Sequence, residues 1–208
     1  MFFHKRPKAI RYFFPSFIWK IKDDTTGLYL TFDDGPVAGV TDWVLDVLKD
    51  FQISATFFCV GNNIKENPKL FSRILKEGHE VGNHTFNHLD GWASEKKVYI
   101  QNIKKCEEIL PASQHLLFRP PHGRINLKAI KYIQSHYKVI MWDILAGDYR
   151  INSDPIISVK KTIQALENGS IVLFHDSKKA EKNMKVMLPI FLDHAINLGF
   201  HFRKFSWN

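Results

Sequence analysis

Short β-rich apolar runs alternate about seven times with segments of helical period, and that alternation limits the chain more than any other feature. Strands are expected near Leu28–Phe32, Ala55–Val60, His79–Val81, Leu116–Phe118, Val139–Trp142, Ile171–Phe174 and Phe200–Phe205. Between them, Val44, Val47, Leu48 and Phe51 form a stripe at i, i+3, i+4, i+7, and Tyr99, Ile103, Cys106 and Leu110 form another. Asn67-Pro68 and Ser94-Glu95 mark expected helix starts. Such alternation implies a parallel α/β sheet. A closed or nearly closed barrel uses so many units naturally, and an open doubly wound sheet is the competing arrangement. No G-x-G-x-x-G follows the first strand, so a dinucleotide site is not indicated.

The chain has 208 residues, 45% of them hydrophobic and 17 of them Phe, enough to bury a core. Cys59 and Cys106 lie in apolar patterns, which points to core thiols rather than a disulfide scaffold or structural zinc. The net charge is +8, with Lys5, Arg6, Lys8, Arg11, Lys20 and Lys22 all preceding Asp23, the first acid. Residues 1–22 therefore read as a basic aromatic segment, carrying Phe2, Phe3, Phe13, Phe14, Phe17, Ile18 and Trp19, ahead of a domain at 23–208. Such a segment either packs on the domain or makes peripheral contact with an anionic membrane surface or an acidic glycan. No apolar run approaches the ~20 residues of a membrane span. No signal-peptide core is seen either, so the expected location is cytoplasmic or peripheral to the membrane.

The unusual polar residues fall where the expected strands end. Asp33 and Asp34 follow the first, His84 the third, Arg119 the fourth, Asp143 and Asp148 the fifth, and His175 the sixth. Sites in barrels and open α/β sheets are built on that C-terminal rim. Neighbouring strand residues point to opposite faces, so of two adjacent acids one can hold a metal while the other stays free. His84 and His88, four apart, would share one face of a helical turn. With one carboxylate they make a two-His, one-carboxylate metal site with open positions.

Five ordered motifs carry a resemblance to a known family: TFDDGP (Thr31–Pro36), HTFNH (His84–His88), RPPHG (Arg119–Gly123), WDILAGDY (Trp142–Tyr149) and IVLFH (Ile171–His175). The stretch from about Leu28 to Asp176 resembles the polysaccharide deacetylase family, the NodB-homology domain of carbohydrate esterase family 4. That resemblance implies a distorted (β/α) barrel of about seven parallel strands in a single domain, and a metal-dependent hydrolase that removes N-acetyl groups from an amino-sugar glycan, chitin oligomers or peptidoglycan, and releases acetate. It assigns Asp34, His84 and His88 to a divalent metal, usually zinc. It makes Asp33 the general base paired with Arg119, and His175 the general acid oriented by Asp148. The backbone amide of His122, the residue after Pro121, is implied as the oxyanion donor. Trp142 and Leu173 match the positions of the acetyl pocket, and both also fit ordinary core.

Side-chain chemistry agrees with those roles. A carboxylate free of the metal can take the proton of an attacking water, and an adjacent Arg119 favours its ionised form. A departing amine needs a proton, which histidine is suited to give, so an acetamide makes fuller use of His175 than an ester. The chain departs from the family at His122, where an aromatic is usual, at Tyr149, where Trp is common, and at Leu145, where many members carry another acid. These departures concern the substrate wall and leave Asp143 a rival to Asp148 as partner of His175. Asp143, Asp148 and Asp176 also fit helix caps or turn residues. The alternatives are a hydrolase of small non-carbohydrate amides, an acetylxylan esterase, and a catalytically silent glycan-binding protein. The expected partner is an N-acetylated glycan met by a monomer, with no nucleic acid.

Overall fold

A computed structural model describes residues 12–22, 24–112 and 117–205. Strands β1 (Gly27–Asp33), β2 (Thr56–Cys59), β3 (Glu80–Asn83), β4 (Leu117–Phe118), β5 (Lys138–Val139), β6 (Ile144–Leu145) and β7 (Ile171–His175) form one parallel sheet in the order β5-β4-β3-β2-β1-β7-β6. That order runs round a circle in sequence and is interrupted between β5 and β6, so the sheet is a curled, incompletely closed barrel. A short β8 (His201–Phe202) pairs in parallel with the start of β1, at Gly27 and Leu28. The helices are α1 (Thr41–Asp50), α2 (Gly61–Glu66), α3 (Pro68–Lys76), α4 (Lys96–Glu107), α5 (Ile130–His136), α6 (Pro155–Gln164) and α7 (Glu181–Asn197).

The two-residue period of β1 sorts its side chains between two cores. Leu28, Leu30 and Phe32 face an outer core shared with Val44, Leu45 and Leu48 of α1 and Met184, Leu188 and Phe191 of α7. Tyr29 faces an inner core with Phe58, Leu117, Ile171 and Leu173. Phe32 is fully buried, stacked on Phe57 at 5.0 Å and tilted against Phe174 at 6.2 Å. Truncating it to Ala would cost about 3–5 kcal/mol, with the cavity in the outer core, on the face of β1 opposite Asp33.

The described part of the N-terminal segment packs on the barrel beside its seam. Ile18 bridges Ile140 in parallel and Lys20 bridges Ser170 in antiparallel sense. Phe17 and Trp19 are buried in the inner core, whereas Tyr12 and Phe13 project to solvent. Lys5, Arg6, Lys8 and Arg11, and Phe2 and Phe3, lie outside the described residues.

The sequence expectation differs from the structure at the fifth strand. Val139–Trp142 is not one strand: the ladder stops at Val139, and a separate β6 follows at Ile144. Ile140 instead pairs with Ile18.

Candidate active site

Asp33 is the last residue of β1 and continues the inward face of Tyr29 and Thr31. Its Oδ1 accepts a hydrogen bond from Nη1 of Arg119 at 2.7 Å. Arg119 is completely buried, yet its donors are met: Nη1 also reaches Thr31 Oγ1 at 2.9 Å, Nε reaches the Ile140 carbonyl at 2.9 Å, and Nη2 reaches the Met141 carbonyl at 2.9 Å. The guanidinium lies 4.0 Å from the centre of the Phe58 ring. Burial lowers the Arg119 pKa and the Asp33 charge opposes that shift. A buried cation held by four hydrogen bonds is a rigid anchor for its carboxylate partner.

The next residue turns away. Asp34 has φ of 84°, in the left-handed region, and its Oδ1 lies 3.1 Å from Nε2 of His88 and 3.8 Å from Nε2 of His84. Burial raises the Asp34 pKa, but the hydrogen bond from His88 and the charges of His175, His84 and His88 outweigh it and hold the carboxyl well below the usual range. The turn is tied down from three sides. Asp176 Oδ1 accepts the Gly35 N–H at 3.0 Å, Asn63 Nδ2 donates to the Asp34 carbonyl at 2.6 Å, and the Val60 N–H donates to the Gly35 carbonyl at 2.9 Å. A Cβ on residue 35 would lie 1.9 Å from Asp176 Oδ2, so only glycine fits.

His84 and His88 do not lie on a helical turn, as their spacing suggests. They belong to a loop after β3 in which Thr85 and His88 adopt φ of 63° and 54°. Side chains replace the helical hydrogen bonds: Asn83 Oδ1 accepts the Thr85 N–H, Asn102 Oδ1 accepts those of Phe86 and Asn87, and Thr85 Oγ1 accepts that of Leu89. His84 Nδ1 donates to the Arg119 carbonyl at 2.8 Å, which leaves the Nε2 lone pair available. Burial lowers its pKa to about 4, so the ring is neutral near pH 7. Asp34, His84 and His88 each offer a ligand atom, all within 4.8 Å of one another. Two neutral-capable imidazoles and one ionised carboxylate suit a divalent metal of the zinc type.

His175 ends β7, beside Asp33 in register. Its Nδ1 lies 2.9 Å from Asp148 Oδ1, and its backbone N–H donates to Asp148 Oδ2 at 2.6 Å. Burial disfavours the imidazolium, but the charge and hydrogen bond of Asp148, with the charges of Asp34 and Asp33, raise its pKa to about 9. The Tyr149 ring packs edge-on against His175 at 5.0 Å. Asp143 is placed elsewhere: it precedes β6, and its Oδ2 accepts the Ser170 hydroxyl at 2.7 Å at the foot of β7. Strand β6 separates the two aspartates, and only Asp148 reaches the C-terminal rim.

These groups face one cavity of about 430 Å³, lined also by His122, Trp142, Leu145, Leu173, Ser177 and Lys179. Pro121 is buried and not among the lining residues; it opens the turn that sets His122 at φ of 58°. Among the described residues the His122 N–H meets no acceptor, and its ring packs edge-on to His88 at 4.7 Å. Of the five left-handed residues other than glycine among the described residues, four, Asp34, Thr85, His88 and His122, gather here, and Gln52 follows α1 elsewhere; such clustering is expected where function over-rules backbone preference. Sequence reading passed over Thr31, Asn63, Asn102, Ser177 and Lys179. Residues that support the site through side-chain hydrogen bonds, or that line a wall, carry no spacing pattern.

The polysaccharide deacetylase profile matches residues 20–139. A peptidoglycan-N-acetylglucosamine deacetylase of Bacillus cereus is 32% identical over 189 residues, 88% of this chain and 88% of that protein. A chitooligosaccharide deacetylase of Rhizobium leguminosarum bv. trifolii is 33% identical over 161 residues, covering 74% of this chain and 73% of its own. Of the longer peptidoglycan-N-acetylglucosamine deacetylase of Listeria monocytogenes, 36% identical over 153 residues, the chain spans about a third. A crystal structure of a peptidoglycan N-acetylglucosamine deacetylase in complex with 4-naphthalen-1-yl-N-oxidanyl-benzamide superposes with a TM-score of 0.86 at 25% identity, covering 95% of this chain and 94% of that one. The chain belongs to the polysaccharide deacetylase family.

Proposed function

We propose that the protein removes the N-acetyl group from N-acetylglucosamine residues of peptidoglycan, with zinc held by Asp34, His84 and His88. The carrying observation is the convergence on one cavity of an arginine-anchored free carboxylate, a triad of metal-competent ligand atoms, and a carboxylate-bound histidine. Deacetylases of this family depend on a metal. When bound, it would supply Lewis-acid polarisation of the acetyl carbonyl and acidify water for attack.

The chain's own residues do the rest. Asp33 keeps Oδ1 on Arg119, so Oδ2, 3.8 Å from His84 Nε2, is the atom that takes the proton of the attacking water. The His122 N–H, without an acceptor of its own, stabilises the developing oxyanion. Asp148 holds the Nδ1 side of His175, so Nε2 delivers the proton that the leaving amine requires. A pKa of about 9 keeps His175 charged near neutrality. Trp142, Leu145 and Leu173 supply the apolar wall against which the acetyl methyl packs.

The Bacillus cereus relative supports the peptidoglycan substrate, and the Rhizobium relative supports a second reading, chitin-type oligomers. Acetate release from both, measured with metal-loaded wild type, tests the reaction. Release from neither would remove the glycan deacetylase reading.

A further inference from the structure

The catalytic cavity does not end at Tyr149. A second hollow of about 370 Å³ continues from it, lined by Tyr149, Arg150, Ile151, Asn152, Ser153 and Lys179, and Tyr149 and Lys179 line both. Its charge is one-sided: two of those residues are cations and none is an acid.

The carboxylates next to the hollow in sequence have other partners, Asp154 accepting the N–H groups of Ile156 and Ile157 at 2.7 and 3.3 Å. Glu181 is bound by Lys185 at 2.7 Å and by Lys178 at 3.5 Å, and Asp148 is bound twice by His175. The Lys179 ammonium lies 5.5 Å from the centre of the Tyr149 ring, which itself packs on His175. The loop that forms the hollow is fixed, because the Arg150 N–H donates to the Gly147 carbonyl at 3.1 Å and Asn183 of α7 donates to the Arg150 carbonyl at 2.9 Å. Lys179, which reaches the acid catalyst through the Tyr149 ring, and Arg150, on the held loop, flank one hollow, and cations so placed attract an anion more strongly than they would on a flat surface.

We propose that this hollow is a subsite for a carboxylate carried by the glycan next to the acetamide being cleaved, recognised by Lys179 and Arg150. The enzyme accordingly selects an acidic glycan over a neutral chitin-type chain. This inference rests on the deacetylase reading and specifies its substrate. In peptidoglycan the carboxylate has two sources, the lactyl group of the adjoining sugar or the attached peptide.

The test compares kcat/KM on three substrates of matched length: glycan strands freed of peptide so that the lactyl carboxylate is bare, strands with peptide attached, and neutral chitin oligomers. Wild type is compared with Lys179→Gln, Lys179→Glu and Arg150→Gln. The expected result is that Lys179→Gln lowers the acidic-to-neutral ratio about tenfold, chiefly through KM, that Lys179→Glu lowers it further, and that added salt erodes the wild-type preference. A drop confined to bare strands names the lactyl carboxylate, and one confined to peptide-bearing strands names the peptide. A ratio unchanged by all three variants, or a wild type without preference, overturns the subsite. Wild type inactive on all three substrates overturns the deacetylase reading itself, before any variant is compared.

Discussion

Asp148 accepts from His175 twice, Oδ2 from the backbone N–H at 2.6 Å and Oδ1 from the Nδ1 side at 2.9 Å, so one buried carboxylate fixes both the position and the protonation of the histidine. Asp148→Asn retains the shape and removes the charge first among those that lift the His175 pKa to about 9. A general acid works only while protonated, so the alkaline limb of the rate profile falls where that pKa lies. The limb is expected to move to lower pH by one to two units, roughly toward the ordinary histidine value near 6.5, and kcat on an acetamide to drop about 10²-fold or more. An acetate ester with a good leaving group should suffer less. An unmoved alkaline limb in the variant would rule out His175 as the titrating acid.

Asp33→Asn separates chemistry from metal binding. The amide retains an oxygen for Arg119 but cannot take a proton, and the ligand atoms of Asp34, His84 and His88 are untouched. The expected outcome is a 10²- to 10⁴-fold loss of kcat with metal affinity, measured by calorimetry, within a few-fold of wild type. Asp33→Ala is the poorer probe, because it leaves Arg119 buried without its carboxylate, a defect worth several kcal/mol of stability. Retained turnover in Asp33→Asn would transfer the base role to another group.

How these residues come together was only partly legible in the chain. The paired acids after β1 were recognisable because a strand's two-residue period forces adjacent side chains apart, and the structure sends Asp33 inward to Arg119 and turns Asp34 toward the histidines. The histidine spacing was recognisable too, for a reason that does not hold: i, i+4 implies a helical turn, whereas Thr85 and His88 are left-handed residues of a loop whose Thr85, Phe86 and Asn87 N–H groups are held by Asn83 and Asn102. That loop depends on a contact from α4, remote in sequence, which no local pattern carries. Asp143 and Asp148 could not be separated because β6 is two residues long. A strand that short has no periodicity to detect, yet it decides which aspartate reaches the rim.

Asp176 is fully buried and has a structural duty that a substitution should expose. Its Oδ1 accepts the Gly35 N–H and its Oδ2 accepts the Thr41 hydroxyl at 2.6 Å, while Thr41 Oγ1 accepts the Val37 N–H at 2.7 Å. Asp176→Ala leaves two buried donors without acceptors and is expected to cost about 2–4 kcal/mol in urea unfolding of the metal-free protein. Because Gly35 follows Asp34 directly, metal affinity should fall with it. Asp176→Asn, which keeps an acceptor for Gly35, should recover part of both. A metal-free Asp176→Ala protein as stable as wild type would show that the network contributes nothing.

Acid stability should depend on a histidine far from the chemistry. His79 is 4% exposed, its Nδ1 accepts the Ala55 N–H at 3.1 Å, and its ring packs edge-on to Phe57. Burial lowers its pKa from 6.5 to about 4; Glu77 opposes this, and Lys204 and Arg73 add to it. The unfolded chain therefore binds the proton more readily between those two values. The stabilisation is complete above pH 6.5 and is lost as pH falls toward 4, to a limit of about 3 kcal/mol. His84 shifts in the same direction, so the contribution of His79 is read as a difference. In His79→Asn the side-chain oxygen takes over the Ala55 N–H and cannot titrate, and the fall in unfolding free energy between pH 7 and pH 4 should be correspondingly shallower. Parallel stability curves for wild type and His79→Asn across that interval would place the acid sensitivity elsewhere.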